Sequence, residues 1–113
     1  MKIAVTGSRG LIGSHIKERL KKDGHFVTEW DLKASPMSHD IDEFEYNGED
    51  YVIHMAAWAD VRASIDNPEA YWENNVTNTT RIQKICHYNR VPLIYASSSC
   101  VHAWWLSPYG ISK

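Results

Sequence analysis

The sequence has 113 residues, of which 43% are hydrophobic and 23% charged, which is typical of one small globular domain and excludes a disordered chain. Twelve basic and fourteen acidic residues give a formal net charge of −2 without a basic stripe, so we expect no nucleic-acid partner. There is no long apolar run or signal-peptide pattern, and two cysteines are too few for a disulfide framework. We therefore expect no membrane partner and a cytoplasmic location.

The first part of the chain predicts two strands joined by a helix. Residues 2–6 form an apolar run bounded by glycine, which is typical of a buried strand. Apolar residues then recur at three- and four-residue steps, which predicts a helix over 11–22 that Gly24 ends. A second strand is expected over 26–30, and Asp31 follows it directly.

The second part predicts two more strands around a long helix. The strands are expected over 51–57 and 93–96, and the helix from Asn67 to about Tyr88, with Pro68 at its first position. Strands that alternate with helices predict βαβ units and a parallel sheet, and hence an α/β fold. Two other segments are expected to be irregular, a loop over 32–39 and a weak helix or turn over 42–49.

A glycine-rich turn separates the first strand from the first helix. Gly7, Gly10 and Gly13 give the spacing G-x-x-G-x-x-G. The first glycine permits a tight turn, the second lets backbone N–H groups approach a diphosphate, and the third lets the helix pack closely on the sheet. The helix N-terminus adds a partial positive charge. The turn therefore predicts a dinucleotide site.

Asp31 indicates which dinucleotide is preferred. It ends the second strand 18 residues after Gly13, where a carboxylate accepts hydrogen bonds from ribose hydroxyls and repels a 2′-phosphate. This favours NAD as the cofactor over NADP. Arg9 and Lys33 keep NADP open as the alternative, since either side chain could reach a phosphate.

Further motifs give the chain a family resemblance. Asp40-Ile41, the run His-x-Ala-Ala that ends at Ala57, Asn75, and the pair Tyr109 and Lys113 follow the glycine turn in order. The chain thereby resembles the N-terminal half of the extended short-chain dehydrogenase/reductase family, the NAD-dependent epimerases and dehydratases of nucleotide sugars. The resemblance implies a Rossmann-like, doubly wound parallel sheet truncated after the fifth strand region. It makes residues 1–113 a partial NAD(P)-binding domain, with the C-terminal substrate domain absent.

The resemblance also implies which residues bind the cofactor. Asp40 and Ile41 correspond to a pair that contacts adenine, and Ala56 and Ala57 to residues beside the phosphates and ribose. Asn75 corresponds to the family's central asparagine. The complete expected set is Gly7, Arg9, Gly10, Leu11, Ile12, Gly13, Asp31, Asp40, Ile41, Ala56, Ala57 and Asn75.

The implied catalytic residues follow the last strand. Tyr109 would act as the base in hydride transfer, because a nearby Lys113 ammonium favours the phenolate. Ser98 would orient the reacting oxygen, and Cys100 matches an acid/base cysteine of some epimerases, with simple packing as its alternative. The expected substrate is a nucleotide sugar, the expected assembly a homodimer, and the alternative function a non-catalytic dinucleotide-binding or interaction module.

The chain departs from the family in ways that affect these expectations. The segment between Asp31 and Asp40 is short, so a helix and much of a third strand are expected to be trimmed. The chain stops at Lys113, which predicts fraying around Tyr109 and suggests a fragment or remnant. His54 is expected to face the core, and the spacing of the histidines and cysteines does not predict a metal site.

Overall fold

The computed structural model describes residues 1–32 and 40–113, so most of the loop expected over 32–39, including Lys33, lies outside it. The strands are β1 (Lys2–Thr6), β2 (Phe26–Trp30), β3 (Tyr51–His54) and β4 (Leu93–Tyr95). The α-helices are α1 (Leu11–Lys22), α2 (Val61–Asp66), α3 (Pro68–Trp72), α4 (Asn78–Asn89) and α5 (Pro108–Ser112). The remaining helical turns are the 3₁₀ segments Ile41–Glu43 and Ser99–Leu106 and the π-helical turn Glu73–Thr77.

The four strands form one parallel sheet in the order β2-β1-β3-β4. In its register Thr6 lies beside Trp30 on one side and His54 on the other, and these are the last residues of their strands. The carboxyl ends of three neighbouring strands therefore meet at one edge of the sheet. The expected α/β fold with a parallel sheet is confirmed.

Helices lie against both faces of this sheet. Ala4 and Val52 point to one face, where they pack with Ile82 and Cys86 of α4 in the hydrophobic core. Glu29 points to the other face, where its carboxylate accepts hydrogen bonds from the ammonium groups of two α1 lysines. Since successive strand residues point to opposite faces, α1 and α4 cover opposite sides. This is the doubly wound arrangement.

The helix predicted over 67–88 is interrupted. A π-helical turn separates α3 from α4, and α4 ends at Arg90 in the left-handed conformation, with φ of 55°. Asn67 stands at the N-cap position, but its side chain makes no cap hydrogen bond. The preceding helix α2 was not predicted; its N-cap is Asp60, whose carboxylate accepts from the Ala63 N–H.

Helix α5 is held in place although it has only five residues. The Ser107 hydroxyl caps it by accepting a hydrogen bond from the Gly110 N–H at 3.0 Å. Ser64 of α2 accepts a second bond from the Tyr109 N–H at 3.1 Å. The fraying expected here is therefore opposed by two buried hydrogen bonds.

None of the helices in residues 1–32 and 40–113 is long and apolar enough to cross a membrane.

Candidate functional site

A cleft of about 310 Å³ lies at the carboxyl ends of the strands. Seven of the twelve residues expected to bind the cofactor line it: Gly7, Gly10, Asp31, Asp40, Ile41, Ala56 and Ala57. The other five lie outside its lining: Arg9, Leu11, Ile12, Gly13 and Asn75. Four more residues line it that are not in the expected cofactor-binding set, and each flanks a member of that set: Leu32, Met55, Trp58 and Asn74. For Trp58, the sequence position directly after Ala57 left a place in the nicotinamide pocket and core packing as equal alternatives.

The glycine turn forms the wall of the cleft. Gly7 has a φ of +65°, and a Cβ atom there would lie 2.8 Å from the Ala56 backbone nitrogen. Gly10 is the N-cap of α1. Because glycine has no side chain, no side chain caps the opening N–H groups of the helix. Backbone donors at a helix N-terminus are suited to a diphosphate. A dinucleotide therefore fits the donor set of this wall.

Two carboxylates, those of Asp31 and Asp40, also line the cleft. Asp31 Oδ2 accepts a hydrogen bond from the Arg9 backbone N–H at 2.8 Å, which joins the end of β2 to the glycine turn. Asp40 Oδ1 accepts from the Ile41 N–H at 2.6 Å and so caps the 3₁₀ segment. Burial raises the pKa of Asp40 against the opposing effect of the Ile41 hydrogen bond, and the neighbouring carboxylates of Asp42, Glu43 and Asp31 raise it further. The two carboxylates repel anions, so the space beside them suits ribose hydroxyls better than an added phosphate.

Arg81 of α4 fixes the 3₁₀ segment that carries Ile41. Its Nη1 donates to the Ile41 carbonyl at 3.1 Å and its Nη2 to the Phe44 carbonyl at 2.9 Å. Ile41 and Phe44 are both about 1% exposed, and the Phe44 ring lies 5.0 Å from that of Trp30. A single guanidinium thus holds one wall of the cleft against the core.

We expect Arg81→Met to lower the free energy of unfolding by about 2 kcal/mol, since hydrogen bonds from a charged donor to buried carbonyls are lost. Urea denaturation measures the change. Lys84→Met is the matched control, because Lys84 is an exposed cation on the same helix. Equal unfolding midpoints for the two variants would contradict the role given to Arg81.

The predicted catalytic residues lie on two segments that pack together. Ser98 is the N-cap of the segment Ser99–Leu106, and its Oγ accepts from the Cys100 N–H at 3.2 Å. A Cβ atom at Gly110 of α5 would lie 3.2 Å from the Cys100 carbonyl oxygen. This close approach brings the helix that carries Tyr109 against the segment that begins after Ser98.

Tyr109 and Lys113 differ in their surroundings. Tyr109 is buried, whereas Lys113 is half-buried. The Lys113 ammonium lies 4.8 Å from the centre of the Tyr95 ring, and the Tyr95 hydroxyl donates to the Lys113 carbonyl at 3.3 Å. Burial lowers the pKa of Lys113. The ring of Tyr95 thus provides a surface over which the cation lies.

Asn75 joins the cleft to α5. Its Oδ1 accepts from the Trp58 N–H at 2.9 Å, and its Nδ2 donates to the Trp58 carbonyl at 2.9 Å and to Ser112 Oγ at 3.0 Å. The side chain is 2% exposed. The π-helical turn therefore presents Asn75 as a bridge between a cleft residue and the helix that carries Tyr109.

Within the described ranges 1–32 and 40–113, no three His, Cys, Asp or Glu side chains form a group that could hold a metal ion. The site consists of the cleft and, on adjoining segments, a tyrosine, a lysine and a serine.

Comparison with known proteins relates this site to a family. The model of the NAD dependent epimerase/dehydratase family matches residues 3–113. Protein CapI of Staphylococcus aureus is 35% identical over 130 aligned residues, which cover 90% of this chain and 39% of CapI. The structure of MoeE5 in complex with UDP-glucose and NAD has a TM-score of 0.89 at 28% identity, covering 99% of this chain and 45% of MoeE5.

A UDP-glucose 4-epimerase from Bifidobacterium longum, solved with NAD+ and UDP, has a TM-score of 0.87 at 25% identity. The match covers 100% of this chain and 46% of the epimerase chain. The chain thus spans less than half the length of these relatives. The CapI alignment is longer than this chain, so CapI has additional residues within the matched region. The chain belongs to the NAD-dependent epimerase/dehydratase family.

Proposed function

We propose that this chain is the NAD-binding part of an epimerase or reductase of nucleotide sugars. The observation that carries the proposal is the cleft, which is lined by Gly7 and Gly10 at an α1 N-terminus that no side chain caps, and by the Asp31 carboxylate beside that turn. The bound NAD and UDP-glucose in MoeE5, over a backbone this similar, support the same assignment. The chain would form a partial dinucleotide-binding domain over 1–113.

The residues of the cleft would hold separate parts of NAD. The opening N–H groups of α1, which follow Gly10, would bind the diphosphate, Asp31 the adenosine ribose, and Asp40 with Ile41 the adenine side. NAD, when bound, supplies the chemistry of removing a hydride from a sugar carbon and returning it. Asp31 beside a second carboxylate favours NAD over NADP.

Tyr109 would act as the general base of the reaction. Its hydroxyl oxygen would take the proton from the sugar hydroxyl, so that the oxygen retains the electron pair from which the carbonyl forms. The Lys113 ammonium would favour the phenolate form of Tyr109 and contact the cofactor ribose. The Ser98 hydroxyl would hydrogen-bond the reacting oxygen, and Cys100 would be positioned for acid/base exchange at a carbon of the sugar.

A non-catalytic dinucleotide-binding or interaction module is the second candidate. The observation that favours it is the exposed apolar group Trp104, Trp105 and Leu106 beside the site, each more than half exposed. Such a surface suits contact with another protein segment, including a second copy in a homodimer. This candidate retains NAD binding and lacks turnover.

NAD titration by calorimetry tests the cofactor assignment on the chain itself. We expect binding by the unchanged chain and a loss of about tenfold or more in affinity for Asp31→Ala, because a charged hydrogen-bond acceptor is removed. Asp66→Ala is the control, since Asp66 is an exposed carboxylate at the end of α2. If the unchanged chain does not bind NAD, the proposed function is wrong.

Turnover assays with UDP- and GDP-sugars separate the two candidates. If the chain is catalytic, Tyr109→Phe should abolish measurable epimerisation while NAD affinity stays within about twofold, because only the proton acceptor is lost. NAD binding without any turnover by the unchanged chain would favour the non-catalytic module.

A further inference from the structure

His54 is a buried titratable residue to which the proposed reaction gives no role. It is the last residue of β3 and is 1% exposed, so it faces the core as expected. Its Nδ1 lies 2.6 Å from Thr6 Oγ1, and its Nε2 lies 2.8 Å from Thr79 Oγ1. The two ring nitrogens therefore hold two different elements, β1 and α4.

Only the Nδ1 side of the ring leads to the cofactor cleft. Thr6 immediately precedes the glycine turn, and its Oγ1 also accepts a hydrogen bond from the Ala56 N–H at 3.1 Å. Ala56 lines the cleft together with Gly7. Thr79, bonded to Nε2, lies on α4 and does not line the cleft.

The spacing that this network fixes is narrow. A Cβ atom at Gly7 would lie 2.8 to 2.9 Å from backbone atoms of Met55 and Ala56. The glycine turn and the chain after β3 are thus in direct contact. Thr6 links them twice: its carbonyl accepts from the Met55 N–H at 3.2 Å, and its hydroxyl provides the side-chain link by accepting from the Ala56 N–H. A shift of Thr6 would move the glycine turn, and the N-terminus of α1 after it, relative to Ala56.

We propose that His54 is a positioning residue for NAD, which acts through the Thr6 hydroxyl to fix the glycine turn against Ala56. The inference rests on the proposed NAD binding. His54 itself does not line the cleft; its contribution is to hold the glycine turn, and with it the N-terminus of α1 that follows, in the position that a diphosphate needs.

The ring acts in its neutral form. Tyr95 stacks on it, with ring centres 5.8 Å apart and planes 23° apart. The charged group that acts on it is the Lys113 ammonium, and burial together with that charge lowers the pKa of His54 to about 4. Near pH 7.5 a neutral amide is therefore an acceptable substitute for either ring nitrogen.

Two amide variants distinguish the contribution of the Nδ1 contact from that of the Nε2 contact. The amide of His54→Asn reaches the place of Nδ1 and preserves the contact with Thr6, whereas the longer His54→Gln places its amide near that of Nε2 and preserves the contact with Thr79. We expect His54→Asn to bind NAD within about threefold of the unchanged chain and His54→Gln to bind about tenfold more weakly, with similar losses in melting temperature. Calorimetric titration and thermal melting measure the two quantities.

A second pair applies if the His54 variants do not fold. Thr6→Val and Thr79→Val each replace one buried hydroxyl by a methyl group of similar size. Thr6→Val should weaken NAD binding by about fivefold or more, Thr6→Ser should restore it, and Thr79→Val should leave it unchanged. If both members of a pair change NAD affinity equally, or if neither does, His54 is a structural residue only and the inference is overturned.

The controls separate this inference from the proposed function. If the unchanged chain binds NAD and the paired variants do not differ, the inference alone fails. If the unchanged chain does not bind NAD, the proposed function fails and the inference fails with it.

Discussion

Gly13→Ala is expected to lower the free energy of unfolding by about 3 kcal/mol or more, at the upper end of what overpacking produces. A Cβ atom at Gly13 would lie 1.9 Å from the Gly7 carbonyl oxygen and 2.8 Å from the Gly7 carbonyl carbon. Both are backbone atoms, so no side-chain rotation can relieve the overlap. Helix α1 would have to move away from the turn, and NAD binding should be lost together with stability. Urea denaturation followed by circular dichroism measures the change.

Gly10→Ala is the matched control for Gly13→Ala. A Cβ atom at Gly10 would meet only the Gly7 carbonyl oxygen, at 3.4 Å, an ordinary contact distance. Because Gly10 lines the cleft, its methyl group would stand where a diphosphate must approach. We expect the fold to lose no more than about 1 kcal/mol while NAD affinity falls by at least tenfold. Similar stabilities for the two alanine variants would contradict the packing role of Gly13.

The elements with a clear hydrophobic period were predictable. The bounds expected for β1, α1 and β2 agree with the structure, because each has a regular apolar pattern and ends at a glycine or an aspartate. β3 was predicted three residues too long. Beyond His54 the Ala56 N–H bonds to the Thr6 hydroxyl, which takes the place of a neighbouring strand's carbonyl. A tertiary contact of this kind leaves no trace in the local apolar pattern.

The parts that bring distant segments together were not predictable. Helix α2 has six residues, too few for a clear period, and yet its Ser64 holds the Tyr109 N–H. The π-helical turn also falls inside a stretch that has one uninterrupted helical pattern. The family motif indicated Asn75 as a cofactor residue, but it did not indicate the hydrogen bonds of its side chain with Trp58, Ser112 and Asn74. Motifs indicated the residue types of the site, but the contacts between its segments required the fold.

Acidification from pH 6.5 to 4 is expected to lower the free energy of unfolding by about 3 kcal/mol through His54 alone. Burial, and after it the Lys113 ammonium, lowers the pKa of this imidazole from 6.5 to about 4 in the folded chain. Between these pH values the unfolded chain binds a proton that the folded chain does not bind, so acid favours unfolding. Well above pH 6.5 the imidazole is neutral in both states and contributes no slope, and the loss is complete only well below pH 4.

Urea denaturation at pH 7, 5.5 and 4.5 measures the slope of stability against pH. His54→Asn removes the titrating ring and should flatten the slope over this interval, although the variant itself is less stable at pH 7. His102→Gln is the control, because His102 is exposed and its removal should leave the slope unchanged. The pKa of Glu29 is lowered from its ordinary value of 4.5 in the folded chain, so acid removes the stabilisation by the ionised Glu29 carboxylate mainly below pH 4.5. That loss lies mostly outside the pH interval of the measurement. An equally steep slope in His54→Asn would show that other groups govern the acid sensitivity of the fold.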